Sequence, residues 1–219
     1  MTATTMVFYY APTERTMGLV QKVFYFHISS AWVGMLAFVI AAVFGVIYLR
    51  HQNLKWDHLA YASVEIGLLF TIMTILTGMI WARPIWNTWW TWDPRLTTVT
   101  IMGFIYLAYL LLRRAIEEPE RRARFGAVYA ILGCLSVPLT FFSVRLLRTI
   151  HPVIFTVNNP DMALTPLMLH ILCFSLFTFS VIFVALLWHR YRLCILQEQV
   201  EALKIGQQDR LNGHREVND

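Results

Sequence analysis

The residues best suited to chemistry crowd into one short stretch. Residues 81–97 read Trp81-Ala82-Arg83-Pro84-Ile85-Trp86-Asn87-Thr88-Trp89-Trp90-Thr91-Trp92-Asp93-Pro94-Arg95-Leu96-Thr97 and hold five of the chain's eight tryptophans. Tryptophan favours membrane interfaces, but an interfacial belt spreads one or two over every span end. This density fits better a platform for a large, flat, apolar ligand, because aromatic faces supply contact area at low entropic cost. Asp93-Pro94 has the form of a helix start, Asp as N-cap and Pro at the first helical position, so Asp93 is expected to fix the tryptophan loop. Arg83 and Arg95 bracket the cluster. A guanidinium there can hold a ligand carboxylate bidentately or meet lipid phosphates.

Two histidines share this side of the chain. His27 follows Phe24-Tyr25-Phe26, and its helical face continues with Ser30, Ala31 and Gly34, small residues that let a ligand or another helix lie close. His151 ends the stretch Ser143-Val144-Arg145-Leu146-Leu147-Arg148-Thr149-Ile150 and precedes Pro152. Two imidazoles flanking a tryptophan platform, with Arg145 and Arg148 nearby, suit a haem held by two histidines. Imidazole is a common ligand of its iron, Trp86, Trp89, Trp90 and Trp92 would cover the ring, and the arginines would offset the propionates. His51, His58, His189 and His214 fall on the other side. His170 is the competitor, since a histidine within a span is a functional candidate. Glu65 carries the same flag, either bonded within the bundle or lining a proton or water path.

The elements that must position these residues are membrane spans. The chain has 219 residues, 58% hydrophobic and 14% charged, where soluble domains carry about a quarter charged residues. Apolar runs at 23–49, 59–80, 96–112, 125–142 and 166–188 each approach the roughly 20 residues a crossing needs. Backbone groups in lipid must be satisfied internally, so these are helices. The run 23–49 is about 40 Å long as a helix against a hydrocarbon core of roughly 30 Å, which puts His27 near the interface. The net charge of +5 reads as topology rather than nucleic-acid binding. Arg113, Arg114, Arg121, Arg122 and Arg124 mark an inner loop, favouring the N-terminus outside and the C-terminus inside. The expected fold is all-α, a polytopic transmembrane bundle of about five spans. An outer segment 1–22 precedes a domain 23–189 with two functional outer loops, 81–97 and 143–165, and a cytoplasmic tail 190–219 forms a short helix. Residues 1–22 lack the basic and apolar regions of a cleavable signal peptide. Cys134, Cys173 and Cys194 form no metal or haem-attachment spacing and read as packing residues.

The stretch from Trp86 to Thr97 resembles the WWD signature of haem-handling membrane proteins of cytochrome c biogenesis, in the form of the haem exporter protein C (CcmC) family; the likeness runs from about residue 8 to 190. It implies that His27, followed by Ala31-Trp32, and His151, closing Ser143-Val144 to Thr149-Ile150, are axial ligands of haem b. It further implies delivery to a periplasmic haem chaperone, with an ABC transporter and a small single-span subunit taking part, at the inner (cytoplasmic) membrane. No general acid or nucleophile is evident among the residues, so no enzymatic activity is expected. The best-known members have a further N-terminal span that residues 1–22 do not provide. Leu146-Leu147 stand where a Trp-Trp pair is usual, Arg145 and Arg148 replace an acidic and an amide residue, and Pro152 follows His151. Two other classes compete. A cytochrome b-like electron-transfer subunit would place ligand pairs within spans, and a transporter would show the internal repeat absent here.

Overall fold

A computed structural model of the chain describes residues 1–13, 18–152 and 164–216, the last nine by backbone alone. His214 and residues 153–163 of the expected outer loop 143–165 lie outside what it describes at side-chain level. Seven α-helices follow in order: α1 (Thr2–Thr5), α2 (Val23–His51), α3 (Leu54–Trp86), α4 (Pro94–Arg114), α5 (Pro119–Gly133), α6 (Ser136–Leu146) and α7 (Pro166–Glu216), with no strand among the described residues. Five helical segments are long and apolar enough to cross a membrane, α5 and α6 together making one of them. The protein is a multi-pass membrane protein. Alternating direction collects the start of α2, the end of α3, the start of α4, the end of α6 and the start of α7 at one pole, the tryptophan end. The opposite pole, with Arg50, Arg113, Arg114 and Arg190, is the basic end.

Helix boundaries differ from the apolar runs for local reasons. α3 continues through Pro84 to Trp86 and stops where Asn87 turns left-handed at φ 52°. Trp81 and Trp86 therefore ride on a helix, and only 87–93 remain as a loop. α4 starts as expected, with Pro94 at its first turn and the Asp93 carboxylate accepting from Arg95 N. The fourth span breaks between α5 and α6. Pro138 has no N–H to offer the Cys134 carbonyl four residues back, and Val137 N donates to it instead at 3.0 Å. α7 runs unbroken for 51 residues, about 76 Å at 1.5 Å per residue, so the tail continues the last span rather than forming a separate short helix.

α2 and α3 form the central pair, with α5 on α2 and α7 across both. Small residues permit the close approaches that helices in lipid use in place of a hydrophobic driving force. A Cβ on Gly45 would stand 3.1 Å from the Ala127 carbonyl oxygen of α5. The core around Phe38, Val64, Met102, Tyr106, Tyr109 and Ala130 joins α2, α3, α4 and α5, with Phe38 stacked on Tyr106.

Candidate functional site: a pocket with two facing imidazoles

At the tryptophan end a pocket opens between α2, α3 and α4, with an empty volume of about 790 Å³ including its mouth. Its lining is mainly apolar, Met35, Met79, Met102, Ile75 and Val99 deep in the bundle and Trp81, Trp86 and Trp90 above, with His27, His151 and Arg95 among them.

His27 is seated against α3. Its Nδ1 lies 3.0 Å from the Thr74 carbonyl oxygen and 3.2 Å from Thr77 Oγ1. The Thr77 hydroxyl donates its own proton to the Met73 carbonyl at 2.7 Å, so it can only accept from His27. Nδ1 thus carries the proton and Nε2 keeps its lone pair, with no bond to any described residue. Gly78 lies flat beneath this ring, since a Cβ there would come within 3.0 Å of His27 Cε1.

His151 reaches the pocket from the stretch after α6. Its Nδ1 donates to the Pro152 carbonyl at 3.2 Å, and its backbone N donates to Thr149 Oγ1 at 3.0 Å. Asp93 holds this stretch from the start of α4. Thr149 Oγ1 donates to Asp93 Oδ1 at 2.6 Å and Ile150 N to Oδ2 at 2.9 Å, while Arg95 N also donates to Oδ1 at 3.0 Å. Burial, and then the Arg95 charge, depress the His151 pKa to about 4, which leaves a neutral imidazole with a free Nε2 lone pair at ordinary pH. The two imidazoles stand 6.4 Å apart, centre to centre, tilted by 34°. Trp86 meets the His151 ring edge-on at 6.5 Å.

Of the residues singled out in the sequence, the pocket gathers His27, His151, Trp86, Trp90 and Arg95, with Asp93 behind His151. Arg95 donates one guanidinium N–H to the Thr140 carbonyl. Trp89 and Trp92 are 54% and 75% exposed and form the rim. Arg83 turns away to Asn87 and lies over Trp89, and Arg145 and Arg148 are exposed outside the pocket. His170 is exposed on α7 and does not line it. Glu65 accepts from Arg190 Nε at 2.6 Å and Nη2 at 3.1 Å, an ion pair joining α3 to α7. Sequence reasoning passed over Thr74, Thr77 and Gly78. The Thr-x-x-Thr-Gly pattern in the second span is visible, but its register against His27 is a property of the folded pair.

Fold and site define a helical membrane protein with a pair of neighbouring imidazoles in an apolar pocket at one end of the bundle. A family model described as heme exporter protein C matches residues 1–206. The heme exporter protein C of Bradyrhizobium diazoefficiens is 32% identical over 203 residues, covering 92% of this chain and 76% of that one. That of Haemophilus influenzae is 33% identical over 195 residues, covering 88% and 78%. A Marchantia polymorpha protein named putative cytochrome c biosynthesis ccmC-like mitochondrial protein is 32% identical over 141 residues, covering 64% and 59%. The chain belongs to the heme exporter protein C family.

Proposed function

We propose that the pocket binds haem b between His27 and His151 and presents it, at the outer face of the cytoplasmic membrane, to a periplasmic haem chaperone for cytochrome c maturation. The observation that carries this reading is the imidazole pair. Metal–imidazole bonds of about 2 Å on each side, with roughly 1 Å from each nitrogen to its ring centre, separate two axial rings by about 6 Å, close to the 6.4 Å between these two. Both rings tie down Nδ1 and leave Nε2 for a metal. The described residues contain no group of three or more His, Cys, Asp or Glu placed for a metal ion. Two protein ligands suit an iron that brings four equatorial nitrogens of its own.

The pocket's thioethers, tryptophans and aliphatic side chains match a macrocycle's faces. Arg95, the cation among the pocket's lining residues, would meet a propionate. The exposed Trp89 and Trp92 stand where the chaperone would approach. The role is one of binding and transfer, in company with an ABC transporter and a small single-span subunit. The purified chain loaded with haemin should give a low-spin absorption spectrum that disappears in the double variant His27→Ala/His151→Ala. Haem retained at the wild-type level in that variant would overturn the assignment.

A further inference from the structure

The two imidazoles are held in different ways. His27 sits on a long helix and is fastened to its neighbour: Thr74 O and Thr77 Oγ1 take its Nδ1–H, and Gly78 leaves no slack beneath the ring. Removing it from the pocket means separating α2 from α3, the central pair of the bundle. His151 sits on a non-helical stretch that starts where α6 ends at Leu146. Its own Nδ1 bond goes to its neighbour Pro152 and travels with it. Leu147 and Ile150 are more than half exposed. Leu147 N caps α6 through the Ser143 carbonyl at 3.1 Å; among the described residues, the hydrogen bonds tying 148–152 to another element both end on one side chain, Asp93, through Thr149 Oγ1 and Ile150 N. Asp93 is itself fixed by capping α4 through Arg95 N.

We propose that His151 is the ligand that leaves when haem is handed on, and that Asp93 is the catch whose opening releases it. The proposal rests on the haem-binding reading above. When the catch opens, residues 148–152 move together. The iron–Nε2 bond to His151 breaks, its electron pair stays with the imidazole, and a donor of the acceptor takes the vacated position with its own pair. The iron keeps its oxidation state. His27 holds the haem until the acceptor's donor is bound; its own bond to the iron then breaks, the electron pair staying with the imidazole, and the haem leaves. Asp93 is thus a positioning residue, acting on the iron through Thr149, Ile150 and His151.

Two variants open the catch without unseating α4. Asn is as good an N-cap as Asp, so Asp93→Asn keeps the helix start while removing the charge. Thr149→Val removes one of the two bonds to Asp93, together with the acceptor of His151 N, and leaves Asp93 intact. The haem-loaded full-length chain is mixed with apomyoglobin, and transfer is followed by absorption. Both variants should start fully loaded and lose haem about tenfold faster than wild type, with a high-spin component before mixing. His151→Ala should keep haem in a high-spin, five-coordinate form, while His27→Ala should not hold it. In the haem-free protein, amide exchange should rise at 148–151 in Asp93→Asn and stay unchanged around Thr74 and Thr77. Transfer rates and exchange equal to wild type, or haem kept by His27→Ala rather than by His151→Ala, would overturn the catch while leaving the haem site standing. A wild-type chain that takes up no haem with two histidine ligands would overturn the haem reading itself, and the catch with it.

Discussion

The two ends of the bundle both place polar side chains where lipid surrounds the protein, and they treat them in opposite ways. At the basic end Arg113 makes a two-pronged pair with Asp57 at 2.5 and 2.7 Å, their side chains only 7% and 5% exposed. Arg190 pairs with Glu65, and the Tyr61 ring lies against both guanidinium groups, at 4.9 and 5.4 Å. These charges are closed on one another. At the tryptophan end His27 and His151 each commit Nδ1 to the protein and line an apolar pocket, with no bond from Nε2 to any described residue. A buried polar group that is satisfied holds a fold together, whereas one left half-satisfied beside a cavity is prepared for a ligand. Damage at the basic end should therefore register in stability, and damage at the tryptophan end in binding.

The largest expected effect is at Asp57. Asp57→Ala leaves the Arg113 charge buried without its partner, a change that costs about 3–5 kcal/mol in comparable buried pairs. The haem-free protein in detergent should melt well below wild type. The double variant Asp57→Asn/Arg113→Met, which removes both charges, should recover most of the loss. An Asp57→Ala protein as stable as wild type would erase the distinction between the ends.

His151 gives the tryptophan end a pH signature. Its folded pKa of about 4 lies below the ordinary 6.5, so between those values the unfolded chain binds the proton and the folded one does not. The stability tied to this group is complete above pH 6.5 and is lost as the pH falls toward 4, at about 1.4 kcal/mol for each pH unit in that window. Between pH 6.5 and 5 the haem-free protein should lose on the order of 2 kcal/mol more than His151→Phe does, as read from melting at each pH. Equal slopes would place the imidazole in water rather than in the pocket.

Gly78→Ala separates stability from binding by sign. In a helix interior alanine is favoured over glycine by up to about 1 kcal/mol, so the haem-free protein should be at least as stable as wild type. The new Cβ stands 3.0 Å from His27 Cε1 and must push the ring aside by a few tenths of an ångström. Haem affinity should fall about tenfold in a haemin titration. A variant that binds normally would mean that the ring has freedom the packing denies it.

How much of this was legible in the sequence follows from what each feature depends on. The five spans rest on apolar length alone, and the Asp93-Pro94 start of α4 on local chemistry, so both could be read directly. The ligand candidates stood out as residue types beside a tryptophan cluster. Their partners did not. The Thr74 and Thr77 seat depends on the register of α2 against α3, and the Asp93 catch joins residues 56 and 57 positions apart. Trp89 and Trp92 fell on the rim because 87–93 is an open loop, while Trp81 and Trp86 were drawn onto the pocket by a helix that runs on past Pro84. Glu65 and His170 drew the same suspicion for being polar within spans. Only geometry separates them, one closed by Arg190 and the other exposed on α7.

The smallest expected effect tests that separation at Glu65. Glu65→Gln removes the charge but keeps an oxygen for the Arg190 fork, and both side chains are 26% exposed, so water screens part of what is lost. The cost to stability should be at most about 1 kcal/mol, and the haem spectrum should not change. α7 nevertheless runs from the tryptophan end to well beyond the basic end as one helix, and the Glu65–Arg190 pair fixes how it lies against α3, the helix that also seats His27. A shifted haem spectrum in Glu65→Gln would therefore show α7 transmitting the state of the basic end to the ligands. An unchanged spectrum would establish that the closed charges serve the fold alone and the open imidazoles serve the ligand alone.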